Sequence, residues 1–229
     1  MRKHTTILGL IFLMMLIAST SLMAQDDINV EVGFEMYKFV YSYGEYYGVE
    51  IQLGGGDLKN VRYARIGTPN HKYMWLKNTF GLQDMSFEDW GMSYEDFNSK
   101  FPEGKYTFDL FPRRYGSFEK NKTHDFPPVP VITYPTEGAT IVPLNLTITW
   151  EPIIGSVRNL ILEIEDVEEE LPLALEIDLP PDSTSFIVPS GLLKPETQYE
   201  ISLWIQTQIA LSGDDLKSVR IISFTTAAQ

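Results

Sequence analysis

Short segments with an apolar side chain at every second position recur through residues 131–226, and prolines and glycines separate them. An antiparallel sheet with one buried face requires this period-two alternation, and the separating residues suit its turns. The pattern therefore predicts a β-sandwich in the second half of the chain. We expect the following side chains to point into its core: Leu146, Ile148, Trp150, Leu160, Leu162, Ile164, Tyr199, Ile201, Leu203 and Ile205.

This half of the chain resembles a fibronectin type III domain. Trp150 ends the second predicted strand, and residues 193–199 read Leu-Lys-Pro-Glu-Thr-Gln-Tyr, which matches the family's Leu-x-Pro-x-Thr-x-Tyr corner. The resemblance implies seven strands over residues 129–227, a Trp in the core, and a buried Tyr199 ring whose hydroxyl bonds a nearby backbone group. It also implies a spacer or interaction module, although a fold alone does not fix a function.

The N-terminus has the features of an export signal. Arg2 and Lys3 precede an apolar run over residues 7–18, and the small residue Ala24 marks the predicted cleavage site. The alternative is an uncleaved membrane anchor, but a spanning helix needs roughly 20 apolar residues and this run becomes polar at Ser19. We expect a signal peptide at residues 1–24, a secreted or periplasmic protein, and no membrane span in the mature chain.

Composition excludes several kinds of chemistry. The chain has a formal net charge of −13, and removal of residues 1–24, with their two basic and no acidic side chains, gives −13 − 2 = −15. Such a protein repels the phosphates of nucleic acids and of anionic lipids, so we expect no nucleic-acid partner. The chain contains no cysteine, which excludes disulfides, thiolate metal sites and a cysteine nucleophile.

A change of composition near residue 125 indicates a domain boundary. Polar residues are followed there by Pro127, Pro128 and Pro130, a combination typical of a short, stiff linker. We expect a β-rich domain of unknown role at residues 25–122, a linker at 123–128, and the fibronectin type III-like domain at 129–227.

The first domain is predicted to be mainly β. Residues 29–43 and 46–53 are rich in aromatic and β-branched side chains, with a hairpin turn expected at Gly44-Glu45. Ser86 and Ser93 each stand three residues before an aspartate, a spacing that predicts one or two short capped helices. The fold class of the whole chain is therefore mainly β, with a β-sandwich at its C-terminal end.

The best candidate site is an aromatic stripe. Tyr37, Phe39, Tyr41 and Tyr43 stand at every second position, so they project from one face if they share a strand, and Tyr46 and Tyr47 follow across the expected turn. Exposed rings of this kind can stack on sugars, and the hydroxyl groups add hydrogen bonds. The same spacing also suits a protein core or an interdomain contact, because aromatic residues favour strands in any case. We take Tyr37, Tyr41 and Tyr43 as the candidate ligand-binding residues.

No catalytic or metal site is predicted. Beyond residue 24 the only histidines are His71 and His124, and no nucleophile-elbow motif is present. The paired acids at 88–89 and 95–96 are sequence neighbours, which do not face each other on a helix as a glycosidase requires. The acidic run at 163–170 lacks a calcium-loop pattern and is expected to be a solvated edge. We therefore expect no catalytic residue, metal or cofactor.

These observations favour an exported, non-enzymatic binding or structural protein. Its fibronectin type III-like domain would act as a spacer or interaction module, and its partner would be an extracellular protein or a polysaccharide. The alternative is a small extracellular hydrolase or a polysaccharide-active accessory protein that uses acidic residues within 84–103.

Overall fold

The computed structural model of the protein describes residues 29–112, 116–155, 157–168, 173–207 and 216–228. The predicted signal peptide and its cleavage site lie outside the described residues. The described chain is mainly β, as predicted. Its α-helix is α1 (Tyr94–Lys100), and its strands are β1 (Glu31–Tyr41), β2 (Gly44–Gly54), β3 (Tyr63–Gly67), β4 (Tyr73–Lys77), β5 (Asp84–Met92), β6 (Gly104–Phe111), β7 (Ser117–Lys122), β8 (Ile132–Tyr134), β9 (Ala139–Val142), β10 (Thr147–Trp150), β11 (Asn159–Asp166), β12 (Leu173–Leu179), β13 (Ser185–Ile187), β14 (Gln198–Thr207) and β15 (Leu216–Thr226).

One large sheet runs through both halves of the chain. Its strand order is β12-β11-β14-β15-β1-β2-β5, and β9 pairs with the end of β15. The join between the halves is parallel, with Met36 opposite Leu216 and Val40 opposite Arg220. Two smaller sheets, β13-β10-β8 and β4-β3-β6-β7, complete the architecture. The N-terminal and C-terminal strands are therefore neighbours at the centre of the molecule.

Two groups of buried side chains lie on the same face of the large sheet, which we call its inner face. Along β15, Leu216 belongs to the first core, whereas Ile222 and Phe224 belong to the second. These even-numbered positions share one face of a strand. The four-stranded sheet covers the first core and the three-stranded sheet covers the second. The opposite, outer face of the large sheet has no second sheet packed on it among the described residues.

The second half is a fibronectin type III-like β-sandwich. The sheet β12-β11-β14-β15 faces the sheet β13-β10-β8, and all ten side chains predicted to point inward are buried. Tyr199 closes the predicted corner, because its hydroxyl accepts a hydrogen bond of 2.9 Å from the backbone N–H of Lys194. The resemblance implied seven strands, and the described residues form eight, since β9 adds a short parallel strand beside β15.

The first half differs from prediction in two local features. Ser93 caps α1 by accepting a hydrogen bond of 3.1 Å from the Asp96 N–H, but Ser86 lies in β5, so one of the two possible capped helices forms. Pairing with Gln52 of β2 holds Ser86 in the sheet, and this long-range contact overrides the local capping signal. The predicted turn at Gly44-Glu45 is wrong, because Tyr41 pairs with Gly44 and leaves Ser42 and Tyr43 as the turn.

The segment between β7 and β8 is anchored to the inner face of β15. The Ser218 hydroxyl donates a hydrogen bond of 2.6 Å to the Pro127 carbonyl, and the Arg220 Nε donates one of 3.4 Å to the Pro130 carbonyl. The predicted linker thus lies against the join between the halves. No helix within the described ranges is long and apolar enough to cross a membrane.

Candidate functional site

Seven aromatic rings lie on the outer face of the large sheet in two contacting groups, one of four rings and one of three, which together we call the ring array. Contacts within each group join ring centroids 4.9–6.2 Å apart, for example 4.9 Å between Tyr37 and Trp90 in the first group and 5.0 Å between Tyr41 and Tyr43 in the second. Four strands and the β1–β2 turn contribute the seven side chains. The members are Tyr37, Phe39, Tyr41, Tyr43, Tyr46, Trp90 and Trp204.

Part of this array encloses an open groove of about 400 Å³, lined by Phe39, Tyr41, Tyr43, Tyr46, Trp90 and Gly91. We call it the aromatic groove. Its volume falls within the range of roughly 300–1,000 Å³ that small-ligand sites occupy, and aromatic lining is common in such sites. Five of its six lining residues are aromatic.

Strand geometry places the rings. Phe39 and Tyr41 stand two residues apart on β1 and therefore share a face. Tyr46 lies directly opposite Phe39 on β2, so it joins them on that face. Trp90 reaches over β2 because position 48 is glycine: a Cβ atom at Gly48 would overlap the Trp90 ring. The Trp90 indole N–H donates a hydrogen bond of 3.2 Å to Glu88, which orients the ring.

The three predicted tyrosines occupy different environments. Tyr43, in the turn, is 73% exposed, and Tyr41 is half-buried with its ring stacked on Tyr43 at 5.0 Å. Both line the aromatic groove. Tyr37 is only 5% exposed and lies under the Trp90 and Trp204 rings rather than in the groove. The period-two stripe therefore contains both groove residues and a supporting residue.

Tyr37 supports the array through a buried polar network. Its hydroxyl oxygen lies 2.5 Å from a Glu35 carboxylate oxygen and 3.0 Å from one of Glu50, and it donates its single proton to these two acceptors in turn. Lys217 donates to Glu35 at 2.7 Å and to the Tyr37 hydroxyl at 3.3 Å. Burial, followed by the two carboxylates, raises the pKa of the Tyr37 phenol well above its usual value. The phenol consequently stays protonated and acts as a donor.

Carboxylates make the surroundings of the groove acidic. Burial, followed by Tyr43, Glu200 and Glu165, raises the pKa of Tyr41. Burial also raises the pKa of the Glu200 carboxyl, with smaller contributions from Glu165 and Glu137. Such a field disfavours an anionic ligand at this site. An uncharged ligand is not repelled by these carboxylates.

Two of the seven rings come from strands that the stripe did not include. Trp204 belongs to the outer face of β14, where its neighbours two positions away are Ser202 and Gln206. A Trp at an outward position among polar residues is a signal that sequence analysis can use. Trp90 offers no such signal, because its approach to Tyr37 and Phe39 depends on the pairing of β5 with β2.

Three of the acidic residues proposed for hydrolysis have structural partners. Glu88 accepts from Trp90, Asp89 pairs with Lys100, and Asp96 accepts from the hydroxyl of Ser93. No cluster of three or more histidine and carboxylate side chains that could hold a metal ion occurs in the part of the chain that the structure describes.

The expectation of a fully solvated acidic edge at 163–170 is wrong for two of its members. Asp166 is buried and pairs with Lys194 at 3.1 Å, and Glu163 is half-buried and accepts a hydrogen bond of 2.7 Å from the Trp204 indole. Long-range partners supplied by β14 and by the corner before it explain both. Glu169 and Glu170 of the run, and the acidic pair Asp214-Asp215, lie outside the described residues.

No protein-family model and no curated protein matches the chain. Solved structures are similar to it. One is a segment of chicken tenascin that contains two fibronectin type III domains. It is 14% identical, with a TM-score of 0.31, and the alignment covers 79% of this chain and 92% of that one. The FN1–FN3 domains of chicken CNTN1 are 15% identical, with a TM-score of 0.31, and the alignment covers 79% of this chain and 61% of that one. Both are structures of fibronectin type III domains. The strand order and the Tyr199 corner of this chain are what identify the fold of its second half.

Proposed function

We propose that the protein is an exported, non-enzymatic binding protein that holds an uncharged polysaccharide in the aromatic groove. Export follows from the N-terminal sequence, with Arg2 and Lys3 before the apolar run. The observation that carries the proposal is the groove itself, with its five aromatic rings open to solvent on the outer face of the large sheet.

The ring chemistry suits sugars. Aromatic faces are large, rigid and apolar, so they pack against the C–H faces of pyranose rings, while tyrosine hydroxyls hydrogen-bond to sugar hydroxyls. Tyr41, Tyr43 and Tyr46 provide three such hydroxyls, and Trp90, 44% exposed, provides the largest ring. The carboxylates around Tyr41 favour an uncharged polymer over an anionic one.

The rings are held in place before the ligand arrives. Trp90 is oriented by Glu88 and by its seat over Gly48, and Phe39 packs between Trp90 and Trp204. A site whose side chains are already ordered loses less conformational entropy on binding. The fibronectin type III-like half contributes Trp204 to this support. Its proposed role is therefore to stabilise the groove as well as to act as a spacer.

The hydrolase alternative receives no support from geometry. Glu88 and Asp96 are engaged by Trp90 and by the cap of α1, and Asp89 is paired with Lys100. A glycosidase needs two carboxyl groups that flank one scissile bond across a cleft.

The test is affinity gel electrophoresis of the mature protein in uncharged soluble polysaccharides (xyloglucan, mixed-linkage β-glucan and galactomannan), with pull-down on insoluble cellulose and chitin. We expect retention by at least one of them. Replacing Trp90 by Ala should weaken that retention at least about tenfold, equivalent to about 1.4 kcal/mol. The matched control is Tyr134→Ala, because Tyr134 is 41% exposed on the three-stranded sheet and does not line the groove.

Two results would contradict the proposal. Retention by none of these polymers would exclude a polysaccharide ligand, and equal retention of the Trp90→Ala and Tyr134→Ala variants would exclude the groove as the binding site. A reducing-end assay on the retained polymer distinguishes hydrolysis from binding, because hydrolysis releases new reducing ends and binding does not.

A further inference from the structure

A second cluster of exposed rings lies on the outer face of the four-stranded sheet. The Tyr63 and Phe111 rings stack with centroids 5.0 Å apart, and Trp75 contacts them at 5.8 and 6.0 Å. These side chains come from β3, β6 and β4, and their neighbours in the chain (Ala64, Leu76 and Leu110) point the other way, into the first core. Tyr63 and Trp75 are both exposed.

A cleft of about 370 Å³ adjoins these rings and is lined by Asn60, Arg62, Tyr63, Phe111 and Pro112. It therefore combines two ring faces with an amide and a guanidinium group. Lys77 lies directly opposite Tyr63 in the β3–β4 register and so shares the outer face. We call Tyr63, Trp75, Phe111, Arg62 and Lys77 the basic aromatic face.

The cations of this face are available to a ligand. Arg62 and Lys77 are exposed, and neither is paired with a carboxylate among the residues that the structure describes. Arg65, by contrast, is occupied: its guanidinium donates to Asp109 at 3.0 and 2.5 Å and lies 4.8 Å from the Tyr73 ring. Lys105 is paired with Glu119 at 2.8 Å.

The segment that contributes Arg62, Tyr63, Trp75 and Lys77 is basic in sequence, and it lies between Asp57 and Asp84. Residues 58–83 contain no aspartate or glutamate and carry five basic side chains, although the whole chain has a net charge of −13. The five are Lys59, Arg62, Arg65, Lys72 and Lys77. A local patch of positive charge attracts anions, and it does so over a distance of about one Debye length, roughly 8–10 Å in physiological salt.

We propose that the basic aromatic face is a second binding site, specific for a polysaccharide that carries occasional carboxylate groups. The rings would stack on uncharged sugar units. The Arg62 guanidinium would form a two-pronged pair with a uronate carboxylate, for which its planar shape is suited, and Lys77 would add a point charge. Two available cations match a polymer of low charge density. The site is separate from the aromatic groove, whose acidic surroundings disfavour the same ligand.

Single-stranded nucleic acid is the competing class of ligand, because it also combines stacking with cation contacts. It carries one phosphate per nucleotide, so a bound stretch brings more negative charge than Arg62 and Lys77 can neutralise. The remaining charge faces the net −13 of the protein. A sparsely charged polysaccharide avoids this repulsion, and we therefore favour it.

The experiment compares glucuronoxylan, uncharged arabinoxylan and oligo(dT) as probes in affinity electrophoresis of the mature protein. We expect glucuronoxylan to bind at least about tenfold more tightly than arabinoxylan, and oligo(dT) not to bind. The double variant Arg62→Ala/Lys77→Ala should lose this preference, and Trp75→Ala should weaken retention. Because few charges are involved, raising the salt should weaken binding only modestly.

The matched control is Tyr134→Ala, because Tyr134 is 41% exposed on the three-stranded sheet and lines neither the aromatic groove nor the cleft, so glucuronoxylan binding should be unchanged. Thermal melting of each variant checks that the fold is retained, since Arg62 and Lys77 are exposed. Equal binding of the two xylans, glucuronoxylan binding that survives the double variant, or oligo(dT) binding that depends on Arg62 and Lys77 would each overturn the proposal. Loss of binding in Trp90→Ala but not in Trp75→Ala would place the ligand in the groove instead.

Discussion

Lys217 on the last strand donates a hydrogen bond of 3.3 Å to the hydroxyl of Tyr37 on the first strand, across the parallel join between the two halves of the chain. The Lys217 ammonium also lies 4.9 Å from the Tyr37 ring centroid and 2.7 Å from Glu35. The ring array crosses the same join, because Tyr37 and Phe39 both contact Trp204. The outer face that carries the aromatic groove is thus built by both halves together.

The predicted tyrosines should separate into two classes by mutation. Tyr43→Ala should lower polysaccharide retention and leave the melting transition nearly unchanged, because Tyr43 is an exposed turn residue. Tyr37→Phe should lower the free energy of unfolding by about 1.5–3 kcal/mol, the usual contribution of hydrogen bonds to charged groups. Urea unfolding and affinity electrophoresis of both variants provide the measurement. If Tyr43→Ala lowers the free energy of unfolding as much as Tyr37→Phe does, the distinction between groove and support is wrong.

Gly48→Ala tests whether the Trp90 ring needs the space above Gly48. The added methyl group would overlap the Trp90 ring, so the ring must move out of its place beside Tyr37 and Phe39. We expect a clear loss of groove binding, together with a shift of tryptophan fluorescence. Gly54→Ala is the matched control, because a Cβ atom there meets nothing within 4 Å. Unchanged fluorescence and binding in Gly48→Ala would show that the Trp90 ring does not need the space above Gly48.

Trp150→Ala should cost about 3–5 kcal/mol of unfolding free energy, the usual cost of truncating a buried aromatic side chain to Ala. The ring is 3% exposed in the second core, and its indole N–H donates a hydrogen bond of 2.7 Å to the Ser183 carbonyl. Equilibrium urea unfolding of the full mature chain measures the change. Ile187→Ala, at an exposed position of β13, is the control and should cost far less.

Limited proteolysis tests the predicted division into residues 25–122 and 129–227. We expect cleavage near residues 120–130, because residues 123–131 lie between β7 and β8 and form no strand or helix. The two fragments should stay together in gel filtration, since β1 pairs with β15 and Ser218 holds Pro127. Resistance of the whole chain to cleavage would mean that the two halves behave as one unit.

The Glu200 carboxyl should make the protein less stable as the pH rises. Burial, assisted by Glu165 and Glu137, holds its pKa in the folded state above the ordinary value of about 4.3. Between these two pKa values the folded state binds more protons than the unfolded state, so the free energy of unfolding falls as pH increases through this window. Glu200→Gln should therefore be more stable than the wild type at pH 7, with a smaller gain at pH 4.

Urea unfolding at both pH values measures this difference. Glu151→Gln, an exposed position, is the control and should change neither the stability nor its pH dependence. A Glu200→Gln variant that is less stable than the wild type at pH 7 would contradict the expected direction of the effect.

The sequence alone determined the properties that depend on local periodicity. Alternation identified the inward residues of the sandwich, and Leu193-Lys194-Pro195-Glu196-Thr197-Gln198-Tyr199 identified the corner that Tyr199 closes. Ser93 identified the start of α1. These features depend on residues that are close in the chain, so the pattern of side chains is sufficient to predict them.

Only the tertiary structure decided which faces remain open and which rings meet. Ser86 follows the pairing of β5 rather than its capping signal, and the register of Tyr41 with Gly44 moves Tyr43 into the turn. The parallel pairing of β1 with β15 brings Trp204 to Phe39, and Gly48 makes room for Trp90. Period-two spacing assigns a side chain to a face, but contacts between distant strands decide whether that face is buried or exposed to solvent.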